Sequence, residues 1–135
     1  GQKDAQQVVV LKRMIRDLHF PIQVLVGPIL READGLAMSS RNKYLQSKQR
    51  EEAILVYQSI QAVQKVVEEK GSSNVDRVKA EVLNVLKQGR LLRVNYVDVV
   101  DRETMRPEKE IVQGRSLLAV AVWVDQVRLI DNFCF

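Results

Sequence analysis

The spacing of apolar residues changes character near residue 90, and this change is the strongest constraint on the fold. Before it, apolar residues recur at three and four positions from Ser47 to Gly71 and from Asn74 to Gly89, which predicts two helices. After it, apolar or alternating runs at 94–100, 117–124 and 127–133 predict three strands. We therefore expect a small α+β unit with helices and a three-stranded antiparallel sheet.

Local signals mark the ends of these elements. Ser47 is the expected N-cap of the first helix, and Asn74 can cap the second. Asp125 and Gln126 fit a two-residue hairpin link between the last two strands. The segment 102–114 is rich in polar residues and is expected to be a connection.

The first 30 residues carry the pattern of a parallel α/β unit. Asp4 followed by Gln7 resembles a capping box, and the apolar stripe up to Leu18 predicts a mostly buried helix. Pro21 is expected to end this helix, and 22–26 predicts a short buried strand. A helix followed by an apolar strand is half of a βαβ unit, so the expected fold class is α/β.

Composition narrows the classes of function. A formal net charge of +4 and a pI near 9.4 favour anionic ligands such as nucleotides, nucleic acid or acidic metabolites. Aromatic residues are only 5% of the chain and no nucleic-acid motif is present, which argues against nucleic acid. Cys134 is the only cysteine, so an intrachain disulfide is excluded and a cytoplasmic location is expected. No apolar run approaches the roughly 20 residues of a membrane span.

The segment READGLAMSSRNKYL, residues 31–45, places hydroxyls and a guanidinium on a polar loop after an apolar run. Arg41 can give charge and bidentate hydrogen bonds to phosphate oxygens, and Ser39 and Ser40 can give short neutral ones. The plainer alternative is that the serines make hydroxyl turns and that Arg41 is a solvated surface charge. Residue types alone leave both interpretations open.

The segment GQKDAQQ, residues 1–7, is the second candidate. It lies at the start of a helix, where amide groups and the helix dipole favour an anion. Lys3 can contact phosphate, Asp4 can accept from a sugar hydroxyl, and Gln7 can bond a polar substrate. The alternative is that Asp4 and Gln7 only cap the helix.

Together with NYVDVVD and RLIDNF later in the chain, these segments resemble the pantothenate synthetase (pantoate–beta-alanine ligase) family. The MSSRN segment of this chain, residues 38–42, resembles that family's counterpart of the KMSKS loop of class I aminoacyl-tRNA synthetases and related nucleotidyltransferases. The resemblance implies that 1–30 is the C-terminal remnant of a Rossmann-like nucleotide-binding domain. It implies that 31–46 is a KMSKS-like loop and hinge and that 47–135 is a C-terminal lid domain.

The resemblance also implies a reaction. In that family the pantoate carboxylate attacks the α-phosphate of Mg-ATP, and pyrophosphate leaves. The amine of beta-alanine then attacks the pantoyl adenylate and releases AMP. The loop is expected to close over ATP and steady the triphosphate, so that catalysis is mostly positioning and charge neutralisation.

Roles carry over one position at a time. The implied phosphate-binding residues, which are also the implied catalytic residues, are Lys3, Ser39 and Arg41, with Ser40 beside them. The positions implied to meet the ribose are Gly1 and Asp4, and the one implied to hold pantoate is Gln7. Backbone facing adenine is implied for Leu30 and Met38. The signature residues expected to shape the loop are Glu32, Asp34, Gly35 and Asn42.

The family further implies ATP, Mg²⁺, pantoate and beta-alanine as ligands and a homodimer for the full-length enzyme. The histidine pair of the family's other ATP motif has no counterpart here, because His19 is the single histidine and is expected to be structural. We therefore expect this chain to be the C-terminal portion of the enzyme and inactive by itself. The metal would be carried by the phosphates and the preceding part.

Three alternatives stay open: another adenylyl- or cytidylyl-transferring enzyme, a non-catalytic basic binding domain, and a regulatory α+β domain with a vestigial loop. Outside the motifs, Trp123 is expected in the core and Cys134 is expected to be passive. The lysines and arginines of the helices between 47 and 88 are expected to be solvated. The first helix is expected to be mostly buried where the parallel sheet is complete. Because this chain lacks the earlier strands, the helix's apolar face is expected to be exposed here and to favour self-association.

Overall fold

Three strands, β1 (Leu92–Asp101), β2 (Ser116–Val124) and β3 (Val127–Cys134), form an antiparallel sheet in chain order. They belong to a computed structural model that describes residues 1–71 and 73–135. All three predicted strands and their antiparallel pairing are confirmed. The predicted hairpin is confirmed too, because Val124 pairs with Val127. Asp125 has a φ of 53°, as the favoured hairpin turns require at their first central residue.

Two helices, α3 (Leu55–Lys70) and α4 (Val75–Leu86), pack on one face of this sheet. Strand β2 supplies the centre of the core, since alternate residues of a strand point to the same face. Each fully buried Val or Leu contributes about 1.5–3 kcal/mol relative to an exposed one. The most deeply buried members of the core are Val56, Ile60, Val63, Val78, Val82, Leu118, Val120, Val122 and Val124. The predicted α+β unit is therefore confirmed.

The predicted helix between Ser47 and Gly71 is two helices, because a turn at Ile54 separates α2 (Ser47–Ala53) from α3. The prediction of Ser47 as N-cap was wrong. Gln46 is the cap, since its side chain and that of Gln49 form a reciprocal capping box in which Gln49 Oε1 accepts from the Gln46 amide at 2.9 Å. Gly71 ends α3 with a φ of 55°, as expected.

The predicted Asn74 cap is confirmed, because its side-chain oxygen accepts from the Arg77 amide at 2.9 Å. In the described parts of the chain, no helix is long and apolar enough to cross a membrane.

The N-terminal segment differs from the prediction in several ways. Helix α1 (Ala5–Asp17) follows a short 3₁₀ turn (Gln2–Asp4), and none of its residues is buried. The helix ends before Pro21, because the amides of His19 and Phe20 bond back to Arg16 and Ile15, and His19 adopts a left-handed φ of 54°. The His19 side chain is exposed at this end of the helix, and its expected structural role stays a prediction.

The predicted strand at 22–26 was wrong, since no strand in the described residues pairs with it. A strand needs a neighbour to take its backbone hydrogen bonds, and an apolar run alone does not supply one. Leu25, in its middle, is 84% exposed. The exposed apolar side of α1 continues into this segment, and its large exposed side chains are Val10, Leu11, Met14, Leu18, Phe20, Ile22 and Leu25.

Candidate functional site

The 3₁₀ turn of residues 2–4 lies against strand β3. Asn132 Nδ2 donates to the carbonyl oxygens of Gln2 at 2.9 Å and Lys3 at 3.0 Å, and Gln2 Nε2 donates to Asn132 Oδ1 at 3.1 Å. The predicted capping box of Asp4 and Gln7 is not formed, because Asp4 makes no side-chain cap hydrogen bond. Both side chains are exposed, and the missing hydrogen bond argues against the capping alternative.

A cleft of about 390 Å³ opens between this turn and the face of the sheet opposite the helices. The N-terminal segment and strands β1 and β3 all contribute to its walls. The polar groups that line it are Lys3, Asp4, Gln6, Gln7, Tyr96, Asp98, Arg128, Asp131 and Asn132. The structure thus brings three of the predicted site residues, Lys3, Asp4 and Gln7, into one cleft.

Lys3 links this cleft to the polar loop. Its ammonium nitrogen donates to the Met38 carbonyl oxygen at 3.1 Å, across 35 positions of sequence. Burial lowers the pKa of the Lys3 ammonium, Asp4 and Asp131 act in the opposite direction, and Arg41 adds to the lowering. The charge of Arg41 in the polar loop therefore acts on Lys3 in the GQKDAQQ segment.

Backbone hydrogen bonds between residues 30–31 and 37–38 close the base of the polar loop. The Met38 amide donates to the Leu30 carbonyl at 2.9 Å, and Arg31 forms an isolated β-bridge with Ala37. Both Leu30 and Met38, the implied adenine neighbours, have exposed side chains, at 67% and 53%. The hydrogen bond between them puts the Leu30 and Met38 backbones next to one another at the surface of the protein.

Ser39 begins a short 3₁₀ helix (Ser40–Tyr44), and its hydroxyl oxygen accepts from the Arg41 amide at 3.2 Å. The hydroxyl turn considered from the sequence therefore exists. Ser40 and Arg41 are both exposed, and their side chains stand at the surface of the loop. Ser39 orders the backbone that presents them.

The loop-shaping residues are held from inside. Arg50 of α2 contacts Glu32 at 2.7 Å and Asp34 at 2.6 Å, and it lowers the pKa of both carboxyls, chiefly through these hydrogen bonds. Asn42 is buried and donates to Glu32 Oε1 at 2.5 Å and to the Ala37 carbonyl at 3.1 Å. Glu32, Asp34 and Asn42 therefore contact the loop's own frame, as expected.

Sequence reasoning missed several residues of this frame. Arg50 was expected to be a solvated helix charge, which was wrong, because the position of the loop over α2 cannot be read from helix periodicity. Arg31 forms a two-bonded ion pair with Asp131, and its guanidinium carbon lies 4.4 Å from the centre of the Tyr57 ring. RLIDNF is recognisable as a motif, but no local sequence signal connects its Asp131 with Arg31.

The remaining predicted residues lie apart from the cleft. Gly1 is at the exposed start of the 3₁₀ turn, and Arg41 lines a neighbouring cleft of about 520 Å³ with Trp123 and Arg128. Trp123 was expected in the core, which was wrong. It lies on the sheet face opposite the helices, half-buried, with the Arg93 guanidinium 6.0 Å from its ring centre.

The site offers cations and polar donors but no evident metal cage. Among the side chains that the structure describes, no three of His, Cys, Asp or Glu lie close enough to hold a metal ion. Lys3 and Arg41 carry positive charge on two segments that the Lys3–Met38 hydrogen bond joins, and Ser39 and Ser40 precede Arg41 in the loop. Such a set suits the oxygens of phosphate groups.

Comparison with known proteins gives a consistent result. The family model for pantoate-beta-alanine ligase matches residues 1–134. Pantothenate synthetase of Thermosipho melanesiensis is 46% identical over 132 residues, which cover 98% of this chain and 46% of that protein. The chain thus spans about half the length of the curated relatives it matches.

Solved structures agree with the sequence comparison. Pantothenate synthetase from Thermus thermophilus superposes with a TM-score of 0.91 at 38% identity, over 98% of this chain and 47% of that one. Pantoate-beta-alanine ligase from Francisella tularensis, complexed with beta-gamma ATP and beta-alanine, gives a TM-score of 0.65 at 25% identity. That match covers 99% of this chain and 41% of the other. On the sequence match over residues 1–134 and these folds, the chain belongs to the pantoate-beta-alanine ligase family.

Proposed function

We propose that the protein containing this chain condenses pantoate with beta-alanine to give pantothenate, at the expense of ATP. The observation that carries the proposal is the 3.1 Å hydrogen bond from Lys3 to the Met38 carbonyl. It joins the GQKDAQQ segment to the MSSRN loop, which are the two parts of the chain with phosphate-binding residue types. Membership of the family and the ATP and beta-alanine in the Francisella tularensis complex support the same substrates.

The proposed reaction has two steps. A pantoate carboxylate oxygen attacks the α-phosphorus of ATP, the bond to the bridging oxygen breaks, and pyrophosphate leaves. The beta-alanine nitrogen then attacks the acyl carbon of the pantoyl adenylate, loses a proton, and AMP leaves. A carboxylate becomes a good acyl donor only after this activation, so the protein mainly positions reactants and balances charge.

The residues of this chain have separate roles in the proposal. Lys3 and Arg41 contact the phosphates as cations, while Ser39 orders the loop and Ser40 adds a hydroxyl beside them. Gly1 and Asp4 meet the ribose in this proposal. Gln7 lines the same cleft as Lys3. In the proposal it holds pantoate. The backbone at Leu30 and Met38 is the surface for adenine.

Part of the site lies outside the described residues in this proposal. Those residues supply no cluster of metal ligands, so Mg²⁺ would arrive on the phosphates of ATP and be held by the preceding part of the enzyme. Residues 1–30 would complete a nucleotide-binding domain, 31–46 would act as the moving loop, and 47–135 as the lid. The chain by itself would then be inactive, and the whole enzyme would be a cytoplasmic homodimer.

The test joins residues 1–135 to the preceding part of a curated relative and measures AMP formation with ATP, magnesium, pantoate and beta-alanine. We expect pantoate-dependent turnover from the joined protein and none from residues 1–135 alone. Arg41→Ala and Lys3→Ala should each lower kcat/KM by roughly 10²–10³, as for other removed charge-stabilising groups. Lys43→Ala, on an exposed neighbour of Arg41, is the matched control and should change turnover little.

Three outcomes would contradict the proposal. Turnover with a different carboxylic acid but not with pantoate would identify another adenylyl-transferring enzyme. Equal activity in Arg41→Ala and Lys43→Ala would remove the phosphate-binding role of the loop. Steady AMP formation by residues 1–135 alone would show that the described residues hold a complete site.

A further inference from the structure

We propose that Asp131 and Asn132 of strand β3 are positioning residues, which hold the two phosphate-binding segments in register with one another. The inference rests on the proposed function for its catalytic meaning, but the contacts that carry it are independent of any substrate. Neither residue carries a role in the proposed reaction, and both line the cleft described above.

Asp131 holds the base of the polar loop. Its carboxylate accepts from Arg31 Nη1 at 2.6 Å and from Arg31 Nη2 at 3.1 Å, and its side chain is only 2% exposed. The same Arg31 Nη1 donates to the Gly35 carbonyl at 3.1 Å, and the guanidinium lies over the Tyr57 ring. A planar guanidinium with paired hydrogen bonds and a stacked ring has little freedom, so the base of the loop is held against β3 in one orientation.

Asn132 holds the N-terminal turn. Its amide nitrogen donates to two successive carbonyls, those of Gln2 and Lys3, and its oxygen accepts from the Gln2 side chain. The backbone of Lys3 is thereby anchored on the sheet while its ammonium reaches Met38. Asn132 is itself 5% exposed and its partners are half-buried, so these hydrogen bonds are partly shielded from water.

The two residues are neighbours in a strand, and this explains why they contact different segments. Successive side chains of a strand point to opposite faces of the sheet. Asp131 lies on the same face of β3 as Leu129 and Phe133, which pack against the core on the helix side of the sheet. There it binds Arg31, whose guanidinium stacks on Tyr57 of α3. Asn132 lies on the other face, opposite Ala119, and meets the N-terminal turn. One dipeptide therefore fixes both segments, and the Lys3–Met38 hydrogen bond closes the arrangement.

Hydrogen exchange of backbone amides in residues 1–135 tests the inference without any substrate. Asp131→Asn should speed exchange of the Glu32 and Met38 amides by about tenfold or more, since removing one partner leaves a buried group unsatisfied. Asn132→Asp should do the same for the amides of Gln2 and Asp4, which donate to the carbonyl oxygens of Gly27 at 2.8 Å and Gly1 at 3.3 Å. Amides of β2 and α4 should change less than about threefold in both variants.

Two controls separate positioning from general loss of stability. Asp125→Asn and Asn95→Asp make the same chemical changes at an exposed hairpin residue and an exposed β1 residue, and should leave both segments unchanged. Val120→Ala removes buried volume from the core and should speed exchange broadly. If Asp131→Asn and Asn132→Asp gave the broad pattern of Val120→Ala, or no change at the two segments, the inference would be overturned.

A kinetic arm links the positions to the reaction. In the joined protein described above, both variants should raise KM for ATP by about tenfold or more relative to Asp125→Asn, with KM for beta-alanine changed less than about threefold. Asp131→Glu, which keeps the carboxylate, should recover part of the ATP effect. If KM for ATP and KM for beta-alanine rose by the same factor in these variants, the positioning role would be overturned. An inactive joined protein with selective exchange in the variants would instead refute the proposed function while the structural anchoring stands.

Discussion

Gly35→Ala is a sharp test of how the polar loop is built. Gly35 has a φ of 91°, and a Cβ placed on it would lie 2.0 Å from Cδ1 and 2.3 Å from Cε1 of the Tyr57 ring. The ring would have to move, and the Arg31 guanidinium now rests on it at 4.4 Å. The substitution therefore adds backbone strain and also disturbs the stack that holds the loop.

The expected magnitude has two parts. A residue other than glycine at a sparsely populated positive φ costs about 1–3 kcal/mol. Loss of an exposed or half-buried cation–π contact costs about 0.5–1 kcal/mol more. We expect the free energy of unfolding to fall by about 1.5–4 kcal/mol, measured by urea denaturation with an unchanged m-value.

Gly114→Ala separates these parts. Gly114 also has a positive φ, 76°, but a Cβ there would meet no atom within 4 Å. It should show the backbone cost alone, so Gly35→Ala should be the more destabilising by about 1 kcal/mol. In a Tyr57→Ala background this excess should disappear. Equal costs at Gly35 and Gly114, or an excess that persists without the Tyr57 ring, would refute the steric argument.

Three further substitutions test other parts of the molecule. Arg50→Met removes the partner that lowers the pKa of Glu32 and Asp34. The ion pairs of these carboxyls stabilise the folded protein above the ordinary carboxyl pKa, and this stabilisation is lost as the pH falls through their lowered pKa values. The variant should therefore have a lower urea midpoint at neutral pH. Its urea midpoint should also fall less steeply than that of the unmodified protein between about pH 5 and 3. Asn74→Ala should cost about 1 kcal/mol in urea denaturation, through loss of the α4 cap. Leu118→Ala, in the core, should cost about 2–5 kcal/mol in the same assay.

Each of these has a matched control. Lys48→Met, on an exposed position of α2, should leave the pH dependence unchanged, and equal flattening in both variants would contradict the role of Arg50. Asn95→Ala, on an exposed position of β1, should cost less than Asn74→Ala. Val112→Ala, at a residue 48% exposed, should cost far less than Leu118→Ala. A Leu118 variant as stable as the Val112 variant would show that β2 is not the centre of the core.

Much of the fold follows from local patterns. Helix and strand periodicity, the Asn74 cap and the left-handed Gly71 are properties of a few neighbouring residues, so they can be recognised from the sequence. The predictions that failed depend on distant partners. The segment 22–26 has strand-like residues but no neighbouring strand in the described structure, and Trp123 is apolar but lies on the sheet face away from the helices.

The sequence by itself determined the order and type of the elements from residue 47 onward, apart from the break at Ile54 that divides the first helix, and the two motifs that identify the family. It also singled out Lys3, Ser39 and Arg41 by residue type, because charge and hydroxyl chemistry are visible without coordinates. Only the tertiary structure decided that Lys3 meets Met38 and that Asp131 and Asn132 anchor both segments. These contacts join residues up to 130 positions apart, and they exist because strand alternation presents adjacent side chains of β3 on opposite faces of the sheet.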